Sequence, residues 1–197
     1  MSSIIPLVQG LALSYASGVS TYATIALLGL AQRAEWVGPL PGALGVTGSW
    51  WLIVPALAMF ALELAALVIP GVATIWETVH TAIRPPAAAA LAVLTAWGGD
   101  PALVAGVGLL GGALGLTTSV TKLGLRAAVD TSPEPVSNTA FTAAEVGVVA
   151  SVAFFVWNHP VITLVVALVL LVLTLLLVRA AWRAIRRLFT RGFAAPA

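Results

Sequence analysis

An all-α membrane bundle of about six transmembrane helices is the fold this sequence predicts, and three observations carry that reading. Only 8% of the 197 residues are charged, against roughly 25% in a soluble domain, too few to coat a globule in water. Mean hydropathy is +1.07. Apolar stretches of about 18 or more residues recur along the chain, the length a bilayer core demands of a helix. They are unbroken Ala/Leu/Val runs, whereas a transmembrane β-barrel needs strands of about ten residues with alternating polarity. The chain therefore reads as one transmembrane domain, 1–197.

Composition excludes several classes of chemistry. There are no cysteines, so disulfides, thiolate metal sites and cysteine nucleophiles are ruled out. His80 and His159 are the two histidines, too few for a multi-histidine metal site, and no metal or cofactor is expected. Arg179, Arg183, Arg186, Arg187 and Arg191 crowd a basic tail, 179–197. Such a tail reads as a cytoplasmic anchor beside the lipid bilayer rather than a nucleic-acid site. The N-terminus lacks the basic region and cleavage site of a secretory signal, so the first helix is expected to stay in the mature protein.

The first span is expected from about Ile4 to Ala31, followed by a Gly/Pro-rich loop, VGPLPGALGVTG, which cannot sustain a helix. Trp50 to Ile69 forms the second, with Trp50 and Trp51 suited to the membrane interface. In VATIWETVHTAIR (72–84), Glu77, His80 and Arg84 share one helical face while Ile75, Trp76, Val79 and Ile83 line the other. This amphipathic helix lies at the interface or packs against the bundle, and Pro85-Pro86 are expected to end it. The following AAAALAVLTAW (87–97) is too short to cross about 30 Å at 1.5 Å per residue. Either it borrows the preceding helix to make a kinked third span, the reading preferred here, or it is re-entrant. Gly98-Gly99-Asp100-Pro101 turns the chain into a fourth span, from Ala102 to about Val120 and on toward Arg126. TSPEPVSN (131–138) is a polar loop. Thr139–Trp157 and Val161–Val178 complete six spans, separated by Asn158-His159-Pro160. An even number puts both termini on one side, and the arginine tail places that side in the cytoplasm of an inner-membrane protein.

Gly10, Ser14 and Gly18 in the first span recur as Gly111, Gly115 and Ser119 in the fourth. Small-residue stripes let a neighbouring backbone approach closely, so either face suits docking of a second copy. With one glutamate each in the second and fifth spans, the pattern suggests an inverted 3+3 repeat with halves 4–97 and 102–178.

Charges in hydrocarbon are costly, so an intramembrane carboxylate is a functional candidate by default. Glu63 and Glu145 are those carboxylates, Lys122 and Arg126 end the fourth span one turn apart, and His80 with Arg84 approach from the amphipathic helix. All six are expected on the cytoplasmic side, as a substrate or ion site or as structural ion pairs. Gln9, Ser14, Ser17, Tyr22 and Asn158 could line a polar path, although isolated Ser and Thr in membrane helices mostly satisfy backbone carbonyls. No GxSxG, HExxH or P-loop occurs, and no enzymatic activity is expected.

Several segments together resemble a bacterial integral-membrane family, domain of unknown function four-one-two-six: GLALSYASGVSTY (10–22), ELAALVIPGVATIWETVHTAIRP (63–85), TKLGLRAAVDTSPEPVSN (121–138), Glu145 and the His159-Pro160 pair. The resemblance covers nearly the whole chain. It singles out His80, Thr81, Arg84, Pro85, Lys122 and Arg126, and a structural loop motif of Thr131, Ser132, Pro133, Glu134, Pro135, Ser137 and Asn138. The chain departs from that pattern at Leu67-Val68, where Asp-Lys is usual, at Ala73 for Asp, and at Val146 for Asp. The resulting expectation is a small transporter or channel-like carrier of a solute or lipid, with a non-transporting scaffold or assembly partner as the alternative. A lipid-modifying enzyme would need a head-group pocket with a base near a nucleophile.

Overall fold

The computed structural model of the chain describes residues 4–69, 71–130 and 135–163, with 165, 166, 168, 169, 172, 173, 176, 179, 180 and 183; of 128–130 and 135–138 the backbone alone is described. Every regular element among them is helical. In order they are α1 (Ile4–Val19), α2 (Thr21–Arg33), a 3₁₀ turn (Leu44–Gly48), α3 (Trp50–Leu67), α4 (Val72–Ala96), α5 (Pro101–Asp130) and α6 (Pro135–Asn158). Among the described residues three helical stretches are long and apolar enough to cross a bilayer, Trp50–Leu67, Pro101–Ala127 and Thr139–Asn158, while Ile4–Val19 is apolar but shorter.

Polarity is arranged opposite to that of a soluble protein. Trp51, Leu109 and Ile75 are 89%, 78% and 67% exposed, whereas Glu63, Glu77 and Arg126 are 1%, 0% and 0% exposed. An apolar outside around a charged inside is stable only if hydrocarbon is the solvent, which makes this a membrane protein.

The central helix is α1. Its Ala12, Leu13, Tyr15, Ala16 and Val19 are buried together with Leu91 of α4 and Val149, Val152 and Val156 of α6. Small side chains let α4 and α5 close around it. A Cβ on Gly115 would overlap the Ala88 methyl, and one on Gly111 would come within 2.6 Å of both the Ala92 Cβ and the Ser14 Oγ. One on Gly18 would meet Thr118 at 2.6 Å and the Gly115 carbonyl at 2.9 Å. The two stripes read as docking faces for another copy are therefore buried within the chain, against each other and against the alanines of α4. Those faces are occupied.

The structure corrects the expected elements at three places. The first span is not one helix: Ser20, extended at φ −152° and ψ 108°, separates α1 from α2. Pro85 and Pro86 do not end a helix but lie inside α4, whose 25 residues reach about 37 Å at 1.5 Å each. The Ala-rich segment thus borrows residues 72–84, as the spanning alternative requires, and the Pro85 backbone lies against Gly112 and Gly115 of α5. Finally, helix begins at Pro135, inside the expected polar loop, with proline at a position where its missing N–H costs nothing. Thr131, Ser132, Pro133 and Glu134 lie outside the described residues, as do the side chains of Pro135, Ser137 and Asn138. Of the sixth expected span, Val161–Val178, the described residues 161–163, 165, 166, 168, 169, 172, 173 and 176 are helical; the others, like Arg186, Arg187 and Arg191, lie outside the described residues.

The turn before α5 forms as read. Gly98 takes φ +86°, and Asp100 Oδ1 accepts from the Ala102 and Leu103 amides at 2.9 and 3.2 Å. Asp at the N-cap with proline following is a strong helix start.

Candidate functional site

The amphipathic part of α4 packs with its charged face inward. Ile75, Val79 and Ile83 are 67%, 56% and 42% exposed, while Glu77, His80 and Arg84 are buried. From that face Arg84 pairs with Glu77 through Nη1 and reaches Glu63 of α3 at 2.8 Å.

Lys122 of α5 stands at the centre. Its Nζ lies 2.9 Å from Glu77, 3.4 Å from Glu63 and 3.4 Å from Glu145 of α6. One turn on, Arg126 bonds Glu145 Oε2 at 2.8 Å and the Thr142 hydroxyl at 3.2 Å, and its guanidinium covers the Phe141 ring at 4.7 Å. Among the described residues, three carboxylates and three cations from four helices thus form one buried network in which the charges balance. Glu77 is not among the six candidates named from sequence, although it shares a face with His80 and Arg84 at helical spacing.

The network closes on the break in the first span. Breaking a helix frees carbonyls on one side and N–H groups on the other. Here the Ser17, Gly18 and Val19 carbonyls accept from Thr21 Oγ1 at 3.0 Å, Ser119 Oγ at 3.2 Å and Lys122 Nζ at 2.7 Å. On the other side Ser20 Oγ caps α2 by accepting from the Ala23 amide at 3.2 Å, and donates to Glu63 at 2.5 Å. A cation therefore sits at the C-terminal end of α1 and an anion at the N-terminal end of α2, each where the helix dipole favours it.

His80, on the same face of α4, has partners of its own. Its Nδ1 donates to the Trp76 carbonyl at 2.7 Å, which leaves Nε2 to accept from the Tyr22 hydroxyl at 3.1 Å, and its ring stacks on Trp76 at 4.1 Å. Of the six residues singled out from sequence, Glu63, Arg84, Lys122, Arg126 and Glu145 meet directly, while His80 bonds Trp76 and Tyr22 instead. The residues that could line a polar path are each hydrogen-bonded within the chain. Gln9 donates to Val156 and Ser14 to Gly10 and Ala88, Ser17 pairs with Thr21, and Asn158 donates to Phe154. Among the described residues no group of three or more His, Cys, Asp or Glu could hold a metal.

Residues 7–180 match the family described as Domain of unknown function (DUF4126). The chain belongs to this family. No similar protein of curated function and no similar solved structure matches it. In this DUF4126 protein, two of the positions that depart from the family pattern, Leu67 and Ala73, are buried. The Leu67 carbonyl accepts from Arg126 at 3.4 Å. Its network balances without the additional charges.

Proposed function

We propose that this protein is a small membrane transporter or channel-like carrier, and that its six-charge network is the site where movement is coupled to an ion or proton. The observation that carries this reading is a buried charge network clasped around the break at Ser20 between α1 and α2. Apolar residues of similar volume would hold helices at least as well as buried ion pairs, so six charges and a helix break are poorly explained by stability alone. Broken helices whose two ends face opposite charges are a recurrent device of secondary transporters. Any motion that parts α3 or α4 from α5 would strand a charge, unless a proton or a cation takes the vacated place.

In this reading α1–α2 form one interrupted span, α4 the third and the stretch after Pro160 the sixth. Both termini then face the cytoplasm of the inner membrane, with the arginine tail as anchor. The paired stripes of α1 and α5 support two related halves, although α5 has no counterpart of the Ser20 break. We propose no catalytic step.

Proteoliposomes loaded with a pH dye and driven by a potassium diffusion potential test the coupling, with inward sodium gradients as the second arm. Flux above protein-free vesicles that falls at least tenfold in both Glu63→Gln and Glu145→Gln is expected. Flux unchanged in both folded variants makes the network structural. The scaffold alternative is favoured by one observation, that Glu63, Glu77 and Arg84 are 1% exposed or less and mutually paired. It predicts no flux in either arm.

A further inference from the structure

Beside the network lies a cavity of about 170 Å³ between α1, α5 and α6. Its walls include Val19, Leu125, Phe141 and Val148 together with Lys122 and Glu145, and the exposed Ala144 also lines it. Glu145 is 9% exposed, and while Oε2 takes Lys122 and Arg126, its buried Oε1 has no hydrogen-bond partner. An acceptor left unmade in such a place is costly. The nearby Thr118 and Thr121 hydroxyls donate to the Leu114 and Thr117 carbonyls and so do not supply the donor.

We propose that this cavity binds a small neutral amphiphile, a molecule of about one ring with a hydroxyl that donates to Glu145 Oε1. Three considerations select that class. A cavity of roughly 150 Å³ lined by apolar side chains accepts benzene, which sets the size. A water would need two to four polar partners, and the lining of the cavity is mostly apolar. The described residues of the network already balance three against three, so a cationic donor would add a buried charge that none of them compensates. The proposal rests on the carrier reading only for the claim that this ligand moves; binding is measurable without it.

The full chain in lipid nanodiscs is titrated with 4-fluorobenzyl alcohol, 4-fluorotoluene and 4-fluorobenzylammonium, and fluorine NMR reads exchange broadening against empty nanodiscs. The alcohol should bind saturably, be displaced by unlabelled benzyl alcohol, and bind about tenfold more tightly than the toluene, the scale of one hydrogen bond to a charged acceptor. Val148→Phe, which fills the cavity and leaves the six charges in place, should abolish the effect. If Val148→Phe does not fold, displacement in the wild type decides. Equal binding of alcohol and toluene would reduce the site to an apolar void, tighter binding of the ammonium would make it a cation site, and no saturable binding would remove it; each overturns the proposal. Loss of ion flux with retained alcohol binding would count against the carrier reading alone.

Discussion

The helices α1, α4 and α5 meet twice, by opposite means. Along one stretch they touch through glycine, alanine and serine, with Ala88 and Ala92 set against Gly111 and Gly115 and the Ser14 hydroxyl bonded to the Ala88 carbonyl at 2.9 Å. A few residues further, the same helices meet through Glu77, Arg84 and Lys122. The first contact uses dispersion and close backbone approach, the ordinary means of holding membrane helices together. Since that contact already joins the helices, the second is not needed to join them. A neutral network is also brittle, because its energy depends on every member being present.

That difference predicts the largest effect. Arg84→Met leaves Glu77 with Lys122 alone and weakens the hold on Glu63, and should destabilise the protein by about 3–5 kcal/mol, the scale for breaking a buried pair from one side. Adding Glu77→Met leaves two carboxylates, Glu63 and Glu145, against Lys122 and Arg126. The double variant should recover most of the loss while still failing in ion flux. Unfolding midpoints in a dodecyl sulfate titration read the first effect and vesicle flux the second. A double variant as unstable as Arg84→Met would mean that the network is a structural clamp.

The size-matched contact should break differently. Gly115→Ala puts a methyl where the Ala88 methyl already stands, which should cost about 1–3 kcal/mol. Moving the methyl across the interface, with Ala88→Gly added, should restore most of that, less the fraction of a kcal/mol that glycine costs in a helix. If the exchange restores nothing, the ridge is not what sets the distance between α4 and α5.

How much of this was legible beforehand follows the range of the interactions. The Asp100-Pro101 start of α5 and the charged face of residues 72–84 are written in neighbouring residues, and both form. The stripes are visible in sequence too, but a face that meets the same chain looks identical to one that meets a second copy. The break at Ser20 has no local sign: GVSTY contains no proline, and serine is tolerated within membrane helices. It is held instead by Glu63 and Lys122, 43 and 102 residues away, and such partners become visible only once the chain is folded. Proline misleads in the opposite direction, since Pro85 and Pro86 read as a stop, yet the close approach of Gly112 and Gly115 gives the Pro85 backbone a packed environment in which the helix continues.

Ser20 also supplies the smallest effect that still separates the two contacts. Its hydroxyl both caps α2 and donates to Glu63, and it contributes nothing to the glycine ridge. Ser20→Ala removes the cap, a loss of about 0.5–2 kcal/mol, and withdraws one donor from a carboxylate that keeps Arg84 and Lys122. Fold should survive while Glu63 gains freedom to exchange partners, so ion flux should change by more than the modest drop in the unfolding midpoint implies. Ser20→Thr retains the hydroxyl and should restore flux toward wild type. If Ser20→Ala lowers the midpoint as expected but leaves flux untouched, the break serves only to seat Lys122 on the Val19 carbonyl, and the coupling role falls back on the carboxylates themselves.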